Sequence, residues 1–138
     1  MRTRAVLGRT MAESTAAFEP LPRPPDFAPH VVLIVLDDLG FAQLGCFGSD
    51  VETPAIDGVA AGGVRFNRFH VTALCSPTRA CVLTGRNHHA VGMGFLTDIP
   101  IGLPGYNARI PRSAGTLPRL LRDAGYSTFA VGKWHLAP

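Results

Sequence analysis

Apolar and polar positions alternate along the chain in blocks that predict strands and helices in turn. Residues 31–36 form a continuous apolar run, rich in branched side chains, that ends at the pair Asp37 and Asp38. This pattern is typical of a strand that is buried on both faces of a parallel sheet. Residues 64–71, with imperfect alternation, and residues 127–131 are predicted as two further strands.

Three other segments carry helix signals. A polar residue followed by proline opens the first two, at Thr53 and Ser76, because proline is favoured at the first helical position. Glycine is expected to end them, at residues 62–63 and at Gly85. The third segment has apolar residues at helical spacing ahead of Gly125. These apolar residues are Leu117, Leu120, Leu121 and Ala124.

The order strand, helix, strand, helix, strand predicts an α/β fold with a mainly parallel sheet. Ligands of such sheets sit beyond the carboxyl ends of the strands. Two polar clusters follow predicted strands and are expected at this edge, Asp37 with Asp38 and Lys133 with His135. Residues 92–111 are rich in glycine and proline and predict a long loop that belongs to a binding rim.

The first part of the chain differs from the rest. Residues 1–29 show no clear hydrophobic period and predict an extended, Pro-rich leader, with prolines at positions 20, 22, 24, 25 and 29. The folded region is predicted over residues 30–138. Three strands leave an open sheet edge, so we expect this region to be the truncated N-terminal part of a larger catalytic domain.

Composition excludes several classes of function. The net charge is +3, but Lys and Arg are scattered without a basic stripe, so we expect no nucleic-acid partner. The three cysteines include no CxxC pair, which disfavours a zinc site or a disulfide framework. No apolar run approaches the ~20 residues of a membrane span, and no persuasive export signal is present. A cytoplasmic protein without membrane contact is therefore the expectation.

Two short motifs carry candidate chemistry. Asp37 and Asp38 repel each other when both are ionised, so a site that keeps both charges should hold a hard cation; a solvated turn is the alternative. Cys75 lies just ahead of a predicted helix start, where a thiolate is favoured, although a buried cysteine would also fit. A cysteine phosphatase loop is excluded, because it would need arginine at position 81, which is Cys.

Cys75, Ser76, Pro77, Thr78 and Arg79 resemble the Cys-x-Pro-x-Arg signature of type I sulfatases, the arylsulfatase family. Residues 125–135, reading GYSTFAVGKWH, resemble a second signature of the same family. The resemblance covers residues 30–138 and implies an alkaline phosphatase-like α/β fold, of which this chain holds the N-terminal portion. It also implies that a formylglycine-generating enzyme converts Cys75 to formylglycine.

The resemblance further implies a role for each matching position. Asp37, Asp38 and the modified residue 75 would bind Ca²⁺, in preference to Mg²⁺. Arg79 would orient residue 75, Lys133 would bind a sulfate oxygen, and His135 would help to deprotonate the formylglycine hydrate.

The resulting expectation is a sulfuric ester hydrolase whose formylglycine hydrate attacks the sulfur of a small-molecule sulfate ester with Ca²⁺ assistance. Further metal ligands and catalytic residues of the family have no counterpart in these 138 residues, so the isolated chain is expected to be inactive. Two alternatives stay open. One is a phosphonate or phosphate monoester hydrolase of the same superfamily, and the other is a noncatalytic truncated fragment.

Overall fold

A computed structural model describes residues 4–18 and 22–137. Residues 1–3, 19–21 and 138 lie outside the described residues, and Pro20 of the predicted leader is among them. The chain divides into two compact units, which are described separately. The first comprises Met1–Pro29 with Pro118–Phe129, and the second comprises His30–Leu117 with Ala130–Pro138.

The first unit contains little regular structure. Val6 and Thr15 form an isolated antiparallel bridge around a 3-10 turn at Met11–Glu13. Helix α3, Leu117–Asp123, contributes most of its residues here. It ends just before Gly125, which has a φ of +96°. The predicted third helix and its glycine stop are confirmed.

The second unit is organised around two helices, α1 (Pro54–Gly62) and α2 (Cys75–Thr84). Short 3-10 turns at Phe41–Gln43, Gly45–Phe47 and His89–Val91 connect irregular segments. Helix α1 begins at the predicted proline and ends at the predicted glycines. The Asp57 carboxylate accepts hydrogen bonds from the Cys46 amide (2.7 Å) and the Thr53 hydroxyl (2.9 Å), and so joins α1 to the preceding turn.

Helix α2 begins two residues earlier than predicted. Cys75 is its first residue, Leu74 is the N-cap, and Pro77 stands third, so the prediction that Cys75 precedes the helix was wrong. Proline is tolerated at this position because the first four amides of a helix have no intrahelical acceptor. The first i to i−4 bond runs from the Thr78 amide to the Leu74 carbonyl, at 3.1 Å. The predicted end at Gly85 is confirmed, with φ at +64°.

The three predicted strands do not form in this structure. Within residues 4–18 and 22–137 no strand is present, and segments 31–36, 64–71 and 127–131 are irregular. Their apolar side chains are exposed, as in Val32 at 81%. A strand exists only through hydrogen bonds to a neighbour, and a buried parallel strand also needs cover on both faces. Neither is present here, so the predicted sheet is not confirmed.

A small core beneath α2 orders the second unit. Ala80 from α2 packs with Val91, Met93 and Leu136, all of them buried. Residues 92–111 form the predicted long loop, which folds against itself; the Ala108 amide, for example, donates to the Gly92 carbonyl (2.9 Å). Because Leu136 belongs to this core, it anchors the C-terminal segment beside α2. No helix of the described ranges has the length and apolarity needed to cross a membrane.

Candidate active site

The first turn of α2 and the C-terminal segment meet in the second unit. Cys75 and Arg79 are one helical turn apart and therefore share a face of α2. Lys133 and His135 lie just before the buried Leu136 and reach this face. Asp37 completes the group through its contact with Lys133, which lies 96 positions away in the sequence. Direct contacts join Asp37, Arg79 and Lys133 in one set and Cys75 and His135 in another.

The Asp37 carboxylate lies between two cations. Arg79 donates to it through Nη2, and Lys133 Nζ lies 3.2 Å from Oδ1 and 3.1 Å from Oδ2. The hydrogen bond from Arg79, followed by that from Lys133, lowers the pKa of Asp37. The hydrogen bond to Asp37 in turn raises the pKa of Lys133. Both groups therefore stay charged at neutral pH.

Arg79 links the two sequence motifs. Its Nη1 donates to the Lys133 carbonyl at 2.5 Å, while its Nη2 holds Asp37. The side chain is only 14% exposed. Its Nε atom is buried and has no hydrogen-bond partner in the described part of the chain. A buried charged donor without an acceptor is costly, so Arg79 Nε is a donor that a further oxygen atom at this corner of the site would satisfy.

Cys75, His135 and Asp98 form a line of contacts. Cys75 Sγ lies 3.1 Å from His135 Nδ1, and His135 Nε2 lies 2.8 Å from Asp98 Oδ1. The hydrogen bond to His135 is the main cause of a lowered pKa at Asp98. His135 has a φ of +51°, a left-handed conformation that histidine adopts more readily than most residues. Sequence reasoning missed Asp98; its only signal was its position in the glycine-rich and proline-rich loop.

Asp38 is exposed and has a φ of +53°. Among the residues that the structure describes, no three His, Cys, Asp or Glu side chains gather as a metal cluster. The donor chemistry nevertheless fits a hard cation, because Asp37 and Asp38 offer carboxylate oxygens and each ionised carboxylate has about four acceptor sites. Asp37 uses two of these sites for Lys133 and Arg79. A calcium shell takes six to eight oxygens, so the two aspartates alone would fill only part of it.

Comparison with known proteins agrees with the two motifs. A family model described as Sulfatase matches residues 29–138. The chain is 43% identical to arylsulfatase A of Homo sapiens over 110 residues and 34% identical to arylsulfatase of Klebsiella aerogenes over 110 residues. It is 42% identical to N-acetylgalactosamine-6-sulfatase of Rattus norvegicus over 115 residues. Each match covers 78% of this chain and between 21% and 24% of the relative. The chain therefore spans about a fifth to a quarter of the length of these relatives.

Proposed function

Because the chain belongs to the sulfatase family, whose fold is of the alkaline phosphatase type, we propose that it carries part of the site of an arylsulfatase-like sulfuric ester hydrolase. The observation that carries the proposal is the convergence of Asp37, Arg79 and Lys133 beside the contact between Cys75 and His135. We also propose that the complete family domain contains a mainly parallel sheet. Its strands would include residues 31–36, 64–71 and 127–131.

Lys133 and Arg79 are proposed to act on the sulfate group. The Lys133 ammonium is partly exposed beside Asp37, so it can donate an N–H hydrogen bond to a sulfuryl oxygen. Charge grows on these oxygens during sulfate transfer, and fixed cations stabilise it where water is excluded. Asp37 holds both cations in place, because its carboxylate accepts from each of them.

Residue 75 is proposed to be the nucleophile after conversion of Cys75 to formylglycine by a formylglycine-generating enzyme. As a hydrate, this group would supply one hydroxyl to attack sulfur and a second whose deprotonation releases sulfate without a second attack on sulfur. The unpartnered Nε of Arg79, which lies one helical turn from residue 75, supports a site that accepts an additional oxygen. His135 Nδ1 faces residue 75 and is positioned to take the proton.

Asp37, Asp38 and residue 75 are proposed to hold Ca²⁺, with Mg²⁺ as the less suitable ion because it requires a stricter octahedral shell. The ion would supply positive charge for the sulfuryl oxygens. The residues named here provide too few oxygens for a complete calcium shell, so residues 1–138 alone are expected to show little turnover. Rapid hydrolysis of an aryl sulfate by residues 1–138, abolished by EDTA and restored by Ca²⁺, would contradict that expectation.

Mass spectrometry of the tryptic peptide of residues 69–79 tests the nucleophile. Expression in a host with and without the converting enzyme should give the mass of formylglycine in the first case and of cysteine in the second. An unmodified thiol in both hosts would refute the proposed modification. A Cys75→Ala variant provides the control, since its peptide should be identical from the two hosts.

The substrate class is tested with matched aryl esters of sulfate, phosphate and phosphonate. The protein translated from the complete reading frame that contains this chain should favour the sulfate ester. Preference for phosphate or phosphonate would instead support a monoester hydrolase of the same superfamily. Absence of turnover on all three esters by modified, Ca²⁺-loaded protein would support a noncatalytic fragment.

A further inference from the structure

His135 is held from both sides of its imidazole ring. Nδ1 lies 3.1 Å from Cys75 Sγ, and Nε2 lies 2.8 Å from Asp98 Oδ1. The His135 side chain is 23% exposed, whereas that of Asp98 is 60% exposed. The ring is therefore shielded at the site while its second nitrogen meets a carboxylate at the rim.

The carboxylate decides which ring nitrogen carries the proton. An ionised Asp98 accepts hydrogen bonds and cannot donate one, so Nε2 must carry hydrogen for the 2.8 Å contact to form. In neutral imidazole only one nitrogen is protonated. Nδ1 then presents its lone pair to residue 75, which is the state needed to accept a proton from it.

Asp98 is fixed by its neighbour in the chain. Thr97 is 1% exposed, and its amide donates to the Ser76 hydroxyl at 3.2 Å. The Thr97 hydroxyl donates to the Ala108 carbonyl at 3.0 Å. Ser76 follows Cys75 directly in α2, so one buried hydrogen bond ties the loop that bears Asp98 to the helix that bears residue 75.

We propose that Asp98 is a positioning residue that holds His135 in the Nε2-protonated form, with Nδ1 directed at residue 75. The inference rests on the proposed function in one respect, namely that His135 takes a proton from residue 75. In that step the proton leaves the hydroxyl of residue 75 and joins Nδ1, while Nε2 keeps its own proton in the bond to Asp98. Asp98 remains ionised throughout and touches neither substrate nor the reacting atoms.

An ordinary surface ion pair would behave differently. Such a pair contributes little and tolerates the loss of charge without consequence for chemistry. A positioning carboxylate instead controls the tautomer, and Asp98→Asn should remove that control, because its amide can either accept from Nε2 or donate to it and so no longer requires the proton on Nε2. Asp98→Glu retains an acceptor and should largely restore the native state.

Nuclear magnetic resonance of protein labelled with ¹⁵N-histidine tests the tautomer without requiring turnover. The sample is the protein translated from the complete reading frame that contains this chain, with Asp98→Asn, Asp98→Glu and Asp123→Asn as variants. Asp123 is the matched control, since it is 58% exposed and paired with Arg119 in α3. We expect His135 to carry its proton on Nε2 in the native protein and in the Glu and Asp123 variants, and to show a mixture of the two tautomers in Asp98→Asn. A native spectrum with Nδ1 protonated and Nε2 bare would overturn the proposal even if every variant failed to fold.

Aryl sulfate turnover by the same proteins supplies the second measurement. Loss of a partner that orients a functional histidine commonly costs about 10- to 100-fold in activity. We expect a fall in kcat of this size for Asp98→Asn, little change in KM, and recovery of most of the rate in Asp98→Glu. An unchanged kcat together with an unchanged tautomer would overturn the inference. Absence of sulfatase activity in the native protein, with the tautomer population changed in Asp98→Asn, would instead refute the proposed function and leave the positioning role supported.

Discussion

Ser76 and Thr97 form a buried hydrogen bond whose removal should destabilise the second unit. Ser76 is 0% exposed and Thr97 is 1% exposed, so Ser76→Ala would leave the Thr97 amide without an acceptor and out of reach of water. A buried unsatisfied amide costs about 1–3 kcal/mol, and the complete burial places the expected loss at about 2 kcal/mol. Since Thr97 precedes Asp98, the same change should loosen the contact between Asp98 and His135.

Urea unfolding followed by circular dichroism measures this loss. With a slope of about 2 kcal/mol per molar, a loss of about 2 kcal/mol lowers the midpoint by about 1 M. Ser49→Ala is the matched control, because the Ser49 hydroxyl also accepts an amide, from Val51 at 3.0 Å, but at an exposed site where water can replace it. Its effect should stay within about 0.5 kcal/mol. Equal midpoints for Ser76→Ala and Ser49→Ala would refute the reasoning from burial.

Three further predictions test the packing and the site. Arg79→Lys should lower kcat on aryl sulfates by about 10²–10³-fold, because lysine lacks the planar fork with which the guanidinium holds the Lys133 carbonyl and the Asp37 carboxylate at the same time; protein modified at residue 75 to the native extent is the required comparison. Gly92 and Gly102 share nearly the same φ, +77° and +76°, but an added Cβ at Gly92 would lie 2.8 Å from the Arg109 carbonyl oxygen, whereas at Gly102 it meets nothing within 4 Å. Gly102→Ala should therefore cost about 1–2 kcal/mol in urea unfolding and Gly92→Ala clearly more; equal costs would exclude the contact as a cause. Met93→Ala should cost about 2–5 kcal/mol in the same measurement, because the side chain is fully buried in the core beneath α2, and a loss near zero would contradict that core.

The helices were predictable because their signals are local. Thr53 before a proline and Gly85 after an apolar run mark the ends of α1 and α2 through their own backbone preferences. The start of α2 was misjudged by two residues, since Pro77 is compatible with any position in the first turn. The sequence alone could not decide whether residues 31–36 form a strand, because a strand depends on hydrogen bonds to distant residues rather than on its own sequence.

The residues of the candidate site were likewise predictable only where their signals are local. Cys75, Arg79, Lys133 and His135 stand in motifs whose spacing is specific, so sequence alone indicated them. Asp98 stands in a loop without a motif, and its contact with His135 depends on the path that residues 92–111 take across the core. Sequence patterns do not report that path, because it is set by tertiary contacts such as the one between Thr97 and Ser76.

The burial of the cysteine motif has a consequence for timing. Pro77 is fully buried in α2, and the Arg79 side chain is 14% exposed and already bonded to Lys133. An enzyme that recognises Cys75 through these two residues would find neither available once the second unit has folded. We therefore expect the proposed conversion of Cys75 to occur during synthesis, before the second unit folds. On this view the fraction of active molecules in a preparation reflects how long the motif stays unfolded, and slower translation or a lower growth temperature should change that fraction without any change in sequence.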